Sequence, residues 1–303
     1  MTSATKVVLV TGAGGQLGTE LQRCAWPEGW TVVAVDVAEL DLTDTIAIRA
    51  RVAAGHDGQP FAAVVNGAAY TAVDKAETDI VTAWAVNAMA PAAFGEACAQ
   101  AGIPLIQVST DYVFAGDKTG AWDVGDPVGP LGVYGASKLG GELAVQTSGT
   151  RHAIVRTAWV VSAHGSNFIK TMLRVGETRD SLSVVADQRG SPTSAADLAQ
   201  ALATIAVRLV EDANAPTGVF HFSNAGDISW ADFATEIFRQ SAARGGPSAN
   251  VVPIPSSDYP TPAARPANSL LSHAAIQTAY GIAPRPWQAA ISDILDELIG
   301  VAK

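Results

Sequence analysis

The sequence predicts an α/β protein, a doubly wound parallel sheet with a second, smaller α/β lobe. Three observations carry that prediction. Short apolar runs alternate with helix-length segments through the first half of the chain, the first run ends in the glycine-rich turn Thr11-Gly12-Ala13-Gly14-Gly15-Gln16-Leu17-Gly18, and the second ends in an acid, Asp36. Continuous apolar runs belong to strands covered on both faces, and strand–helix alternation belongs to parallel sheets.

In chain order, Val7-Val8-Leu9-Val10 reads as the first strand, and a helix runs from Gln16 to about Cys24. Residues 31–35 form the second strand, ending at Asp36, and Ala63-Val64-Val65 a third. A helix over 83–101 leads to the strand Leu105-Ile106-Gln107-Val108, and a helix over 134–146 to the strand Ala153-Ile154-Val155. Beyond Arg156 the pattern is less regular. Helices are expected over 167–175, 194–210, 229–240 and 287–299, with short strands at Ser183-Val184-Val185, Val219-Phe220-His221 and Val251-Val252-Pro253. The Pro- and Ala-rich stretch 256–266 reads as an extended loop. No internal repeat or linker separates the halves. Residues 1–156 are therefore expected to form a dinucleotide-binding domain, and 157–303 mainly a substrate-binding lobe, discontinuous because segments return to the first sheet.

Composition excludes several classes. A chain of 303 residues with net charge −10 has enough length for a large core and lacks the basic footprint of a nucleic-acid binder. A nucleotide-sized anion can still be held by helix N-termini. Cys24 and Cys98 are too few for a disulfide framework and read as buried thiols. With neither a run of about eighteen apolar residues nor a secretory leader, the expectation is a cytoplasmic enzyme with no membrane contact. His56, His152, His164, His221 and His273 are scattered, without the close spacing of a metal site.

The glycine turn has a reason at each position. Gly12 permits the tight turn out of the strand, Gly15 lets a pyrophosphate approach the backbone, and Gly18 lets the helix pack close to the sheet. The spacing is G-x-x-G-x-x-G. Free N–H groups at the start of the helix would face the phosphates, and Asp36 would accept hydrogen bonds from ribose hydroxyls while repelling a 2′-phosphate. On residue grounds this favours NADH.

Chemistry enters with Tyr134 and Lys138 in Val133-Tyr134-Gly135-Ala136-Ser137-Lys138. At i and i+4 they share one helix face, so an ammonium can stand near the phenol and draw its pKa from ~10 towards the working pH. That suits protonation of a carbonyl oxygen as hydride arrives at carbon. Thr110, just past a strand at the carboxyl edge of the sheet, is placed to hydrogen-bond the same oxygen.

These motifs resemble the extended, sugar-nucleotide branch of the short-chain dehydrogenase/reductase superfamily with its Rossmann domain, and more narrowly the dTDP-4-dehydrorhamnose reductase family. The resemblance spans nearly the whole chain. It is carried by Gly12-x-x-Gly15-Gln16-Leu17-Gly18, the run from Asn66 through Ala68-Ala69-Tyr70-Thr71-Ala72-Val73-Asp74-Lys75-Ala76-Glu77, Ser109-Thr110-Asp111-Tyr112-Val113-Phe114, and Tyr134 with Lys138. Arg156-Thr157-Ala158-Trp159, Asn167-Phe168, Asp187-Gln188-x-Gly190-x-Pro192-Thr193 and Arg265-Pro266-x-Asn268-Ser269 complete it. It implies an NADPH- or NADH-dependent reduction of dTDP-4-dehydro-β-L-rhamnose at C4, the last step to dTDP-L-rhamnose. Thr110, Tyr134 and Lys138 match the catalytic positions. Gly12, Gly15, Gln16, Leu17, Gly18, Asp36, Asp41, Leu42, Ala68, Ala69 and Tyr70 match the cofactor-binding ones, with Tyr134 and Lys138 among them. Thr110, Asp111 and Trp159 match sugar-side contacts, and Arg265 suits the nucleotide diphosphate.

Within the superfamily, the dehydratases carry an Asp-Glu pair after the threonine, whereas Tyr112 follows Asp111 here. An epimerase or another sugar-nucleotide reductase remains the alternative, as does a non-catalytic NAD(P)-binding regulatory subunit. Nucleotide base specificity and oligomeric state stay open. Some members of the family pair subunits through Mg2+ held by glutamates. Glu20 matches one such position, but Ala196 stands at another. One carboxylate is too few for a Mg2+ cage. No metal is expected, any homodimer would form without a metal link, and Glu20 reads as a first-turn acid favoured by the helix dipole.

Overall fold

The computed structural model describes residues 5–301. Its centre is a six-stranded, all-parallel sheet. The strands are β1 (Lys6–Thr11), β2 (Trp30–Val35), β3 (Phe61–Asn66), β4 (Leu105–Thr110), β5 (His152–Thr157) and, returning late from the chain, β10 (Gly218–His221), in the order β10-β5-β4-β3-β1-β2. From β1 the chain winds outward to β2, then crosses back to β3 and continues the other way. The point of reversal lies between β1 and β3, where a crevice opens at the carboxyl ends of the strands.

Alternation along β1 shows why both faces are covered. Val8 and Val10 pack with Leu17 and Leu21 of α1 (Gln16–Arg23), and Val7 and Leu9 face the opposite layer. That layer holds Ile48 of α2 (Thr45–Ala54), followed by α3 (Val73–Ala76), α4 (Ile80–Trp84), α5 (Ala90–Ala101) with Phe94, and α6 (Val133–Thr147) with Val145. The short helix α2, not read from the sequence, starts where the Asp44 carboxylate accepts from the amides of Ile46 and Ala47.

The expected helix over 83–101 begins earlier, at Ile80, and is not uniform: Ala85–Met89 forms a π-helical turn. Pro91 has no N–H to give the carbonyl of Asn87 four residues before it, and the Ala90 amide bonds back to Ala85 instead.

Past β5 come β6 (Val160–Val161), α7 (Phe168–Gly176), β7 (Ser181–Val185), β8 (Arg189–Gly190), β9 (Thr193–Ser194) and α8 (Ala195–Glu211). After β10 follow β11 (Ile228–Ser229), α9 (Trp230–Ala242), β12 (Asn250–Ile254), α10 (Ala274–Tyr280) and α11 (Trp287–Leu298). Asn167, Ser194 and Ser229 cap α7, α8 and α9, each accepting an amide three residues on. Leu198, Leu202 and Ile205 of α8 cover the central sheet beside α1, and Ile276 of α10 joins the same cluster. The remaining segments build a second core from Ile169, Met172, Phe233, Ile237, Trp287, Ile291 and Leu295, flanked by the parallel pair β12-β7. The 256–266 loop contains one short 3-10 turn, Ser256–Asp258. Among the described residues no helix is long and apolar enough to cross a membrane.

Candidate active site

The glycine turn lies at the carboxyl end of β1. Gly12 has φ +79°, and it and Ala13 donate to the carbonyl of Val35 (2.9 and 3.1 Å), tying the turn to β2. A Cβ on Gly18 would fall 1.9 Å from the Gly12 carbonyl oxygen, so only glycine lets α1 start this close to the strand. No side chain caps α1 at Gly15, which leaves its first amides and positive dipole end open to an anion. Leu17 is buried in the sheet core, while the Gln16 carboxamide is held by Asn167 (3.0 Å) and Ser162 (3.3 Å) from beyond β5.

Asp36 ends β2. Its carboxylate accepts the amides of Gly14 and Val37 (both 2.8 Å), and its own amide is bonded by the Glu39 carboxylate (2.9 Å). Thr11, Gly12, Asp36, Asp41, Leu42, Ala68 and Ala69 line one cleft beside it. Hydrogen bonds from Thr43 hold the Asp41 carboxyl below the usual range. This cradle of open amides, a close glycine turn and a carboxylate at the strand end fits a dinucleotide.

On the other side of the crevice stands the proton-transfer group. Thr110 ends β4, and its hydroxyl accepts the Tyr112 amide (3.2 Å) and donates to the Asp111 carboxylate (2.9 Å). Thr110 also draws the pKa of the Tyr134 phenol down against the effect of burial. The Thr110 proton is thus committed to Asp111, which differs from its expected use on a substrate carbonyl. Asp111 is buried, its second oxygen has no hydrogen-bond partner among the described residues, and burial pushes its carboxyl up to about 6 against the pull of Ser269 and Thr110.

Tyr134 and Lys138 share a face of α6, which approaches the Thr110 turn closely because Gly135 has no Cβ; one would lie 2.2 Å from the Tyr112 carbonyl oxygen. Tyr134 meets Tyr112 edge to face at 5.4 Å. The expected lowering of the phenol by Lys138 is not the state seen. Burial, with the Asp111 carboxylate adding to it, pushes Tyr134 up to about 12, and the Lys138 ammonium rests on the carbonyl of Val108 (2.7 Å). Lys138 is itself drawn down to about 8 by burial, with Glu142 opposing.

The sugar-side residues are placed by strain and pairing. Trp159 follows β5 with φ +49°, a conformation rare for a bulky residue. Its indole is stacked on Trp230 at 3.6 Å and leans on Gly190, where a Cβ would come within 2.7 Å of the ring. Arg265 forks onto Asp74 (3.0 and 2.8 Å), a carboxylate already in place of the anion it was expected to meet. Asp187 and Gln188 bond Ser256, and Asn268 bonds the carbonyls of Lys118 and Gly120, so those motifs anchor loops.

Asn87 escaped sequence reading. From the π turn its carboxamide accepts the Tyr70 amide (2.9 Å) and donates to the Tyr70 carbonyl and the Ser137 hydroxyl (both 3.1 Å), joining the segment Ala68, Ala69, Tyr70 to the helix of Lys138. Pro91, four residues on, was its only signal.

Glu20 requires a correction. It is the fifth residue of α1, away from the dipole end, and half-encloses a cluster with His164 and Glu297 whose ligand atoms lie within 4.8 Å of one another. The sequence count missed the second carboxylate and the imidazole because both come from distant parts of the chain. Mg2+ does not fit here. The guanidinium of Arg23 already bonds Glu297 (2.9 Å) and His164, and an imidazole is a poor ligand for a hard, oxygen-seeking ion.

Comparison with known proteins bears on this site. Residues 5–299 match the family model described as RmlD substrate binding domain. The chain is 40% identical over 292 residues to a dTDP-4-dehydrorhamnose reductase of Aggregatibacter actinomycetemcomitans, covering 95% of this chain and 97% of the relative. Among solved structures, a dTDP-4-dehydrorhamnose reductase from Clostridium acetobutylicum superposes with TM-score 0.87 at 36% identity, covering 96% of this chain and 99% of that one. Another, from Bacillus anthracis in complex with NADP, superposes with TM-score 0.86 at 35% identity, covering 97% and 99%.

Proposed function

The chain belongs to the RmlD substrate-binding-domain family, and on that premise we propose that it reduces dTDP-4-dehydro-β-L-rhamnose at C4 with NADH or NADPH, giving dTDP-L-rhamnose. The observation that carries the reading is the placement of Tyr134 and Lys138 one turn apart on α6, with the Lys138 ammonium on the Val108 carbonyl near the carboxyl edge of β4, across the crevice from the uncapped start of α1. When bound, the reduced nicotinamide supplies the hydride for C4. Tyr134, neutral at pH 7 and kept further from ionisation by burial, gives its proton to O4 as the C4–O double bond becomes single. The phenolate left behind is stabilised by Lys138, whose ammonium keeps two N–H groups after bonding Val108. Thr110 holds the phenol in line, and Asp111 fixes the direction of the Thr110 hydroxyl. Trp159 and Arg265 bind the sugar and the diphosphate, Arg265 exchanging Asp74 for phosphate oxygens. The test is turnover with the 4-dehydro sugar nucleotide generated in place: oxidation of the cofactor coupled to formation of dTDP-L-rhamnose supports the reading. Cofactor binding without oxidation rejects it.

Asp36 and Glu39 put two carboxylates at the end of β2, and their charge would repel a 2′-phosphate held there. NADH is expected to give a kcat/KM roughly tenfold above NADPH, the order that one like-charge contact supplies at a partly exposed site. Asp36→Ser should narrow the difference, Glu39 keeping part of it, and a wild-type preference for NADPH would refute the assignment. We also infer that the protein works without a metal. Exhaustive chelation should leave turnover and melting temperature unchanged, whereas restoration of lost activity by Mg2+ would show that Arg23 yields its place.

A further inference from the structure

Beneath Lys138 lies a pair of buried opposite charges that the reduction as described does not use. Glu142 is one helical turn beyond Lys138 on α6 and fully enclosed. One of its oxygens accepts from the Ser109 hydroxyl (2.5 Å) and the Arg156 Nε (2.9 Å), and the other from the Arg156 Nη2 (2.7 Å). Arg156 stands on β5 in register with Ser109 on β4, and its guanidinium lies 4.9 Å from the centre of the Phe114 ring. A buried ion pair is weak evidence for stability, since apolar residues of the same volume serve as well. Its place in the fold calls for another reason. It joins the end of β4, where Ser109 precedes Thr110, to the helix that carries Tyr134 and Lys138.

We propose that Glu142 is a positioning residue for the reduction: clamped by Arg156 and Ser109 one helical turn beyond Lys138, its carboxylate keeps the Lys138 ammonium charged at the edge of β4. The inference rests on the function proposed above. Lys138 is buried with its ammonium on a neutral carbonyl, and burial alone pulls it towards the neutral form. The charged and titratable groups around it are known. On α6 itself stand Tyr134, neutral, and Glu142, which opposes the pull of burial. From the turn after β4 comes Asp111, bonded to Thr110; from β5, Arg156, spent on Glu142; from β10, His221, held neutral by burial at about 3. From the helices packed across α6, Glu77 is bonded to the Val133 amide and Asp79 to Tyr70.

The test follows the titration of Lys138 in the ligand-free protein by its 13Cε resonance, identified by its loss in Lys138→Met, alongside the pH dependence of kcat. Glu142→Gln is expected to move the Lys138 midpoint down by about one pH unit or more, with the basic limb of kcat moving equally. Because Glu142→Gln leaves Arg156 unpaired and can fail to fold, Glu142→Met/Arg156→Met, which removes both charges, is measured beside it. It is expected to shift in the same direction. A midpoint unchanged in a folded variant overturns the proposal whatever the turnover. Absence of turnover in the wild type, with the midpoint shifting as expected, would fault the assigned reaction and leave the role of Glu142 in charging Lys138 intact.

Discussion

Tyr134→Phe is expected to lower kcat by about 10²–10⁴-fold, the usual worth of a positioned general acid, with little change in the dissociation constant for NADH. The ring keeps its edge contact with Tyr112, and α6 keeps its approach to the β4 turn through Gly135, so the fold and the dinucleotide cradle persist. What goes is the proton destined for O4. The substrate KM should move far less than kcat, because the hydroxyl acts chiefly as charge develops on oxygen. Stopped-flow oxidation of the cofactor and a separate fluorescence titration of NADH distinguish the two effects. Turnover within a few-fold of wild type would remove Tyr134 from the proton-transfer role and with it the mechanism drawn above.

Asp111→Asn is expected to stabilise the protein at pH 8 by about 3 kcal/mol, while impairing catalysis. The sign follows from the raised carboxyl. Its folded-state pKa is about 6 against an ordinary 3.8. The folded protein holds that proton more tightly than the unfolded chain does, so ionisation destabilises it. The cost is absent below about pH 4, where both states are protonated, grows between about pH 4 and 6, and is complete above, at roughly 3 kcal/mol for this separation. Urea unfolding across that range should show a gap between variant and wild type that opens from near zero and then levels off. A gap independent of pH would mean that Asp111 is ionised at no cost, and that its unpartnered oxygen is satisfied in solution. The expected trade of stability for activity is typical of a group kept in a poor environment for the sake of the reaction.

What could be read from the sequence was what fixed local periods express. The glycine turn, the acid ending β2, the threonine ending β4 and the Tyr134–Lys138 spacing each depend on residues within one turn or one strand, and the structure places all of them at the carboxyl edge of the sheet. The later helices expected from 167, 194 and 229 begin at Phe168, Ala195 and Trp230, directly after the caps Asn167, Ser194 and Ser229. What escaped was set by contacts between distant segments. Asp74 meets Arg265 across 191 positions, and Glu20 reaches Glu297 through Arg23; no spacing rule joins such pairs. Asn87 and Glu142 sat within helices already recognised, but their side chains point into the layer between α6 and its neighbours, where a polar group has meaning only through its partners. The direction of the Lys138 ammonium also lay beyond sequence. An i, i+4 pair fixes which face it shares with Tyr134, whereas the carbonyl of Val108 decides where the charge rests.

The most direct test of the central claim is transfer of a labelled hydride. With cofactor carrying deuterium at the transferable C4 position and dTDP-4-dehydro-β-L-rhamnose as acceptor, the proposed reaction delivers one deuterium to C4 of the product sugar, identified by NMR as dTDP-L-rhamnose. Unlabelled product, or no product while the dinucleotide remains bound, would contradict it.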